Sequence, residues 1–251
     1  MDDDLFSVKG KVVIITGGGQ GIGEFLALGL SKRGAIVYCI DKKFKKSKNR
    51  RGLQDMLCDI TKLDEIKSVC SEIIKRNKKV DVLINNAGIT IPSNLGNYSL
   101  ESWSKTLDIN LTGAFSFTQQ VLKQMKKNHS GSIINITSIN AEFGFPNNPA
   151  YIASKGGLKM LGKSLARDWG KYGIRVNNLG PGYILTKMTE KSYRNKKKYA
   201  ARKANTMLGR WGKTSDLLGP CIFLASDASS YVTGQDIYVD GGWSANGLQD
   251  E

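Results

Sequence analysis

Short β-branched apolar runs recur along the chain, and helical patterns separate them. The runs are Lys11–Thr16 (KVVIIT), Ala35–Asp41 (AIVYCID), a weaker one at Gln54–Leu57, Val80–Asn85 (VDVLIN), Ser132–Thr137 (SIINIT), Arg175–Leu179 and Asp236–Val239. Strands buried on both faces read as such continuous apolar runs. Helical spacing occupies Gly21–Arg33, Leu63–Arg76, a long stretch near Ser99–Lys127, Pro149–Trp169 and a segment near Thr214–Leu224, where Pro220 predicts a kink or a shifted start. Alternation of this kind calls for a parallel sheet with helices on both faces, an α/β, doubly wound, seven-stranded arrangement. No linker or composition break divides residues 1–251, so a single domain is expected.

In such a sheet the ligand lies beyond the carboxyl ends of the strands, where strand order reverses. The residues that follow each strand are therefore the informative ones. TGGGQGIG, residues 16–23, follows the first, with glycines at 17, 21 and 23 and then a helix. Glycines allow close backbone approach to a pyrophosphate, and the helix start offers amides to an anion. Asp41 ends the second strand, where an acid can accept from both ribose hydroxyls and repels a 2′-phosphate. That favours NAD over NADP, although the lysines from Lys42 onward argue the other way. NNAG, residues 85–88, ends the fourth strand, Ser138 follows the fifth, and Pro181-Gly182 breaks the sixth. Tyr151 and Lys155 stand four apart, on one face of a helix.

Composition narrows the alternatives. No apolar run approaches membrane-spanning length, and MDDDLFSVKG lacks a signal-peptide layout. Four scattered cysteines suggest free thiols in a reducing cytoplasm. They have no metal-ligand spacing, and the lone histidine, His129, reads as a solvated loop residue, so no metal is expected. The net charge of +15 is concentrated in Lys42–Arg51 and Lys191–Lys203, with seven cations and no acid in each. Such runs are solvated surface or a means of drawing in an anion. They carry no aromatic platform or known nucleic-acid motif, so no specific nucleic acid is expected.

Together, TGGGQGIG, NNAG, Ser138, Tyr151-x-x-x-Lys155, Asn110 in LDIN, Pro181-Gly182 and YVTGQDIYVDGG resemble the short-chain dehydrogenase/reductase family, from Gly10 to about Trp243. The resemblance implies a Rossmann fold and a catalytic set of Asn110, Ser138, Tyr151 and Lys155. Tyr151 would be the general acid/base, its pKa drawn down by Lys155. Lys155 would also hold the nicotinamide ribose, Ser138 the substrate oxygen, and Asn110 a relay water. Gly17, Gln20, Gly21, Ile22, Gly23, Asp41, Asp59, Ile60 and Asn86, with Pro181, Gly182, Ile184 and Thr186, would join Tyr151 and Lys155 around the cofactor. Gln20 stands where NADP-preferring members often carry a basic residue, again favouring NAD.

Residues 187–210 fall where that family places its substrate lid, and their positive charge suggests an anionic small-molecule substrate. The C-terminal half is similar to the family's sugar and sugar-acid dehydrogenases, such as gluconate 5-dehydrogenases. A 3-oxoacyl-carrier-protein reductase is the alternative, and a non-catalytic cofactor-binding regulator is disfavoured by the complete catalytic set. The resemblance also implies a homotetramer, with contacts from the helices near 111–127 and 149–169.

Overall fold

A computed structural model describes residues 4–44, 50 and 52–246. Seven parallel strands form one sheet: β1 (Val12–Thr16), β2 (Ile36–Asp41), β3 (Leu53–Leu57), β4 (Val82–Asn85), β5 (Gly131–Ile136), β6 (Ile174–Pro181) and β7 (Asp236–Val239). Their order is β3-β2-β1-β4-β5-β6-β7, so the chain reverses its direction of travel between β1 and β4. A crevice opens there at the carboxyl ends.

The helices are α1 (Gly21–Ser31), α2 (Leu63–Asn77), α3 (Leu100–Leu107), α4 (Gly113–Asn128), α5 (Pro149–Trp169), α6 (Glu190–Arg194), α7 (Lys196–Ala204) and α8 (Leu218–Ala225). The pleat divides the core in two. Val12 and Ile14 face Ile66 and Ile73 of α2, Phe117 and Val121 of α4, and Leu165 of α5. Val13 and Ile15 face Leu26 and Leu30 of α1, and Cys221 and Leu224 of α8. The weak signal of β3 has a physical cause: it is an edge strand, and Gln54, Asp55 and Leu57 are exposed. Pro220 shifts a helix start rather than kinking a helix. A 3₁₀ turn, Thr214–Leu217, precedes α8, and Pro220 is the third residue of α8, where no amide partner is required.

The stretch near Ser99–Lys127 departs from one regular helix. A π-helical turn, Asp108–Thr112, joins α3 to α4 and contains Asn110. Such turns widen the helix and are frequent at functional sites.

A ladder of amides crosses one end of the sheet. Asn85, Asn135, Asn178 and Asp236 are register partners on β4 to β7. Asn85 Nδ2 donates to Asn135 Oδ1, Asn135 Nδ2 to Asn178 Oδ1, and Asn178 Nδ2 to Asp236 Oδ1, at 2.7 to 3.0 Å. Gly162 lets α5 lie directly on these rungs, since a Cβ there would sit 2.4 Å from Asn178 Oδ1.

All four cysteines are buried free thiols, their pKa values pushed up to about 12 by burial. Among the described residues no cluster of three or more metal-binding side chains occurs, and no helix is long and apolar enough to cross a membrane. His129 is exposed and ends α4 in a left-handed conformation.

Candidate active site

The crevice is built by two loops stapled together. Thr16 Oγ1 accepts from the amides of Asn86 and Ala87, each at 3.1 Å. Asn86 Nδ2 donates to the carbonyls of Thr16 and Gly17. The backbones approach so closely that a Cβ on Gly17 would lie 2.8 Å from Ala87 Cα, and Gly17 has φ of +66°. The threonine's role was available in the sequence as a strand-end hydroxyl before the glycines, and went unread there.

Helix α1 begins at Gly21, and its N-cap, Gln20, makes no side-chain cap bond. Its first-turn amides thus have no capping side chain, as an anion site requires. A Cβ on Gly21 would meet nothing within 4 Å, so this position opens onto the cleft. Glu24 of the first turn, which would repel an anion, is paired with Arg50 at 2.9 Å. Arg50 also binds Asp55 and the Gly18 carbonyl, so this member of the first basic run is spent internally. Lys45–Asn49 and Arg51 of that run lie outside the described residues. Gly23 does not line the cleft: a Cβ there would sit 2.3 Å from the Gly17 carbonyl, so it seats α1 against the loop.

Asp41 Oδ2 accepts from the Gly19 amide at 3.0 Å. Asp59 is held by Thr61 and by Lys42 at 2.8 Å. Burial alone would raise the Asp59 pKa, but the Lys42 and Thr61 bonds outweigh it and bring it to about 2.

These residues meet the predicted catalytic group in one cleft of ≈ 310 Å³. Gly17, Gln20, Gly21, Ile22, Asp41, Asp59, Ile60 and Asn86 line one end, and Ser138, Tyr151, Lys155, Pro181, Gly182, Ile184 and Thr186 the other. Lys42, Thr137, Lys187, Met188 and Thr189 also line it. Asn110 sits behind the wall, fully buried. Its side chain exchanges two hydrogen bonds with the backbone of Ile89 and donates to Ser154 Oγ at 3.0 Å.

Ser138 caps a 3₁₀ turn, Ile139–Ala141, and its Oγ accepts from the Asn140 amide at 3.1 Å, which leaves its proton free to donate. Pro149 opens α5, and Tyr151 and Lys155 follow one turn apart. Lys155 Nζ donates to the Ile136 carbonyl at 2.6 Å and lies 5.8 Å from the Tyr151 ring centroid. Burial raises the Tyr151 pKa, offset in part by a hydrogen bond from Ser138, with no lowering from Lys155. Burial brings Lys155 itself down to about 8. Removal from water disfavours the charged form of each, which moves the phenol up and the ammonium down.

The lid charge is also distributed differently from the simplest expectation. Lys191, Lys196, Lys197, Lys198 and Lys203 are exposed, and Arg194 pairs with Glu190. Lys187 lines the cleft. Arg202 turns inward over the rings of Tyr183, at 4.2 Å, and Trp211, at 5.6 Å.

A cleft lined by a glycine loop, a helix start, a strand-end acid and a tyrosine–lysine pair suits a nicotinamide-dependent dehydrogenase or reductase. The residues fit the dinucleotide where the glycine cradle and the helix start face the cleft. A family model described as enoyl-(acyl carrier protein) reductase matches residues 17–244. The chain is 37% identical over 243 residues to a 3-oxoacyl-acyl-carrier-protein reductase of Thermotoga maritima, covering 94% of this chain and 98% of the relative. It is 35% identical over 247 residues to gluconate 5-dehydrogenase of Gluconobacter oxydans, covering 95% and 96%. The crystal structure of a gluconate 5-dehydrogenase from Burkholderia cenocepacia, in complex with NADP and tartrate, superposes with a TM-score of 0.89 at 33% identity, covering 97% and 98%. The chain belongs to the short-chain dehydrogenase/reductase family and is an oxidoreductase of that class.

Proposed function

We propose that this enzyme interconverts a secondary alcohol and a ketone on a sugar, a sugar acid or another anionic polyol. The observation that carries the reading is the meeting of Ser138, Tyr151 and Lys155 with Gly17, Gly21 and Asp41 in one cleft. The nicotinamide ring, when bound, supplies the hydride acceptor or donor. In reduction the Tyr151 phenol donates its proton to the carbonyl oxygen; in oxidation Tyr151 first releases that proton, and the phenolate then takes the proton of the alcohol. Ser138 donates to the substrate oxygen, where negative charge develops. Lys155 orients the ribose and, with a pKa brought down to about 8 by burial, exchanges protons near neutral pH. Asn110 holds the Ile89 backbone and orients a water toward Lys155.

The sugar-acid reading is supported by relatives such as the Gluconobacter gluconate 5-dehydrogenase and by a lid cation that lines the cleft, Lys187. Replacing Lys187 by Met should raise KM for a sugar acid about tenfold with kcat nearly unchanged. NAD is proposed as the preferred cofactor. Asp41 opposes a 2′-phosphate, and the nearby cation, Lys42, is engaged by Asp59. The Burkholderia relative was solved with NADP, so the kcat/KM ratio for the two cofactors tests this directly.

The thermotogal relative supports a second reading, reduction of a 3-oxoacyl thioester. Nicotinamide absorbance with D-gluconate and other sugar acids, against a 3-oxoacyl thioester with NADPH, separates the two. Buried thiols fit a reducing, cytoplasmic setting. Phe115 on α4 and Met160 on α5, large and exposed, support assembly as a homotetramer through those helices.

A further inference from the structure

The turn that carries Ser138 is tied down at its far end by groups remote in sequence. Glu142 is the C-cap of the 3₁₀ turn that Ser138 begins. Its carboxylate is engaged twice. Lys159, one turn beyond Lys155 on α5, donates to Oε1, and so does Tyr238 of β7, with its Oη at 2.6 Å. Lys159 and Lys163 also face Asp236, at 3.8 and 2.8 Å. The Tyr238 ring has a second contact. It occupies the space above Gly180, where a Cβ would lie 2.5 Å from its Cδ1. Gly180 immediately precedes Pro181 and Gly182, which line the cleft. One tyrosine therefore touches both the serine turn and the strand end that borders the site. The Lys159 side chain is 16% and the Glu142 side chain 32% exposed, so the lysine is the better covered of the two.

We propose that Glu142, Lys159 and Tyr238 form a clamp that fixes the Ser138 turn against Tyr151, acting as positioning residues for proton transfer. The clamp explains how a short turn keeps the Ser138 hydroxyl aimed. The Asn140 amide orients the oxygen from within the turn, while Glu142 anchors the other end to the same helix that carries Tyr151 and Lys155. The kinetic consequence rests on the oxidoreductase reading above.

Two measurements test it. Hydrogen–deuterium exchange on Glu142→Ala and Tyr238→Phe needs no substrate. Exchange should rise in residues 138–145 and stay level in α1 and β1. Unchanged exchange in 138–145 in both variants overturns the clamp. Tyr238→Phe keeps the ring over Gly180 and removes only the hydroxyl, so it serves if Glu142→Ala does not fold. Turnover of D-gluconate with NAD provides the second arm. Glu142→Ala should lower kcat about tenfold with the KM for NAD unchanged, a loss typical of slight misplacement. Glu142→Gln, whose amide oxygen still accepts both bonds, should recover most of it. In a Ser138→Ala background, Glu142→Ala should cost nothing further. Full additivity there overturns the positioning role. If the wild-type enzyme oxidises no sugar acid, the substrate assignment falls, and the exchange result still decides the clamp.

Discussion

The glycine-loop end of the cleft and the lid are built on opposite principles. The first is fixed by backbone. Thr16, Gly17, Asn86 and Ala87 interlock through four hydrogen bonds and contacts too close for a Cβ. The second is fixed by rings. Tyr193, Tyr199 and Trp211 pack edge-on and stacked at 5.1 to 6.0 Å, with α7's lysines left in solvent. A dinucleotide presents the same phosphates and riboses to every member of the family, so its site is best served by backbone that cannot vary. Substrates differ, and side-chain packing can be rebuilt one residue at a time.

Substitutions can break this contrast. Tyr151→Phe should have the largest effect, a loss of about a thousandfold in kcat, with NAD affinity held within about twofold by fluorescence titration. Gly23→Ala strikes the backbone-built end. Its Cβ would meet the Gly17 carbonyl, and denaturant unfolding should show a loss of roughly 3 kcal/mol along with weakened dinucleotide binding. Lys155 gives a pH test. Its folded pKa lies near 8, below the ordinary value of 10.5. Below pH 8 the folded state bears the full cost of a buried charge. Between these values the unfolded chain still holds the proton and the folded chain has released it, so stability should rise with pH, by at most about 1.4 kcal/mol per pH unit. That rise should vanish in Lys155→Met. The smallest effect belongs to the outer lid. Replacing Lys196, Lys197 and Lys198 together by Ser should change kcat/KM by less than about twofold at 0.15 M salt, since exposed charges are screened. A larger loss would transfer substrate attraction from Lys187 to the outer face.

How far the sequence could be read follows burial. β1, β2 and β4 were legible because nearly every residue is apolar or β-branched, while β5 and β6 are as deeply buried but carry Asn135, Asn177 and Asn178 among their apolar residues. β3 was faint because half of it meets water. The cleft lining was legible where a local motif carries it, as at Gly17, Asp41 and Tyr151. Three things were not. The π-helical turn at Asn110 leaves no breaker residue in LDINLT. The direction of the Tyr151 shift depends on where Lys155 points, which spacing alone does not state. The Glu142–Tyr238 bond joins residues 96 apart, and nothing local to either names the other.

The amide ladder bears on how the chain is made. Its rungs are added in order of synthesis from Asn85 on β4 to Asp236 on β7. Until Asp236 emerges from the ribosome, Asn178 lacks the carboxylate that ends the series, although Lys159 already offers it a carbonyl. The last rung therefore ties closure of the sheet beneath α5 to the arrival of β7, the last of its strands to be made. A nascent chain halted before residue 236 should hold the Gly17 end of the cleft in place earlier than the Ser138 end, which also depends on Tyr238.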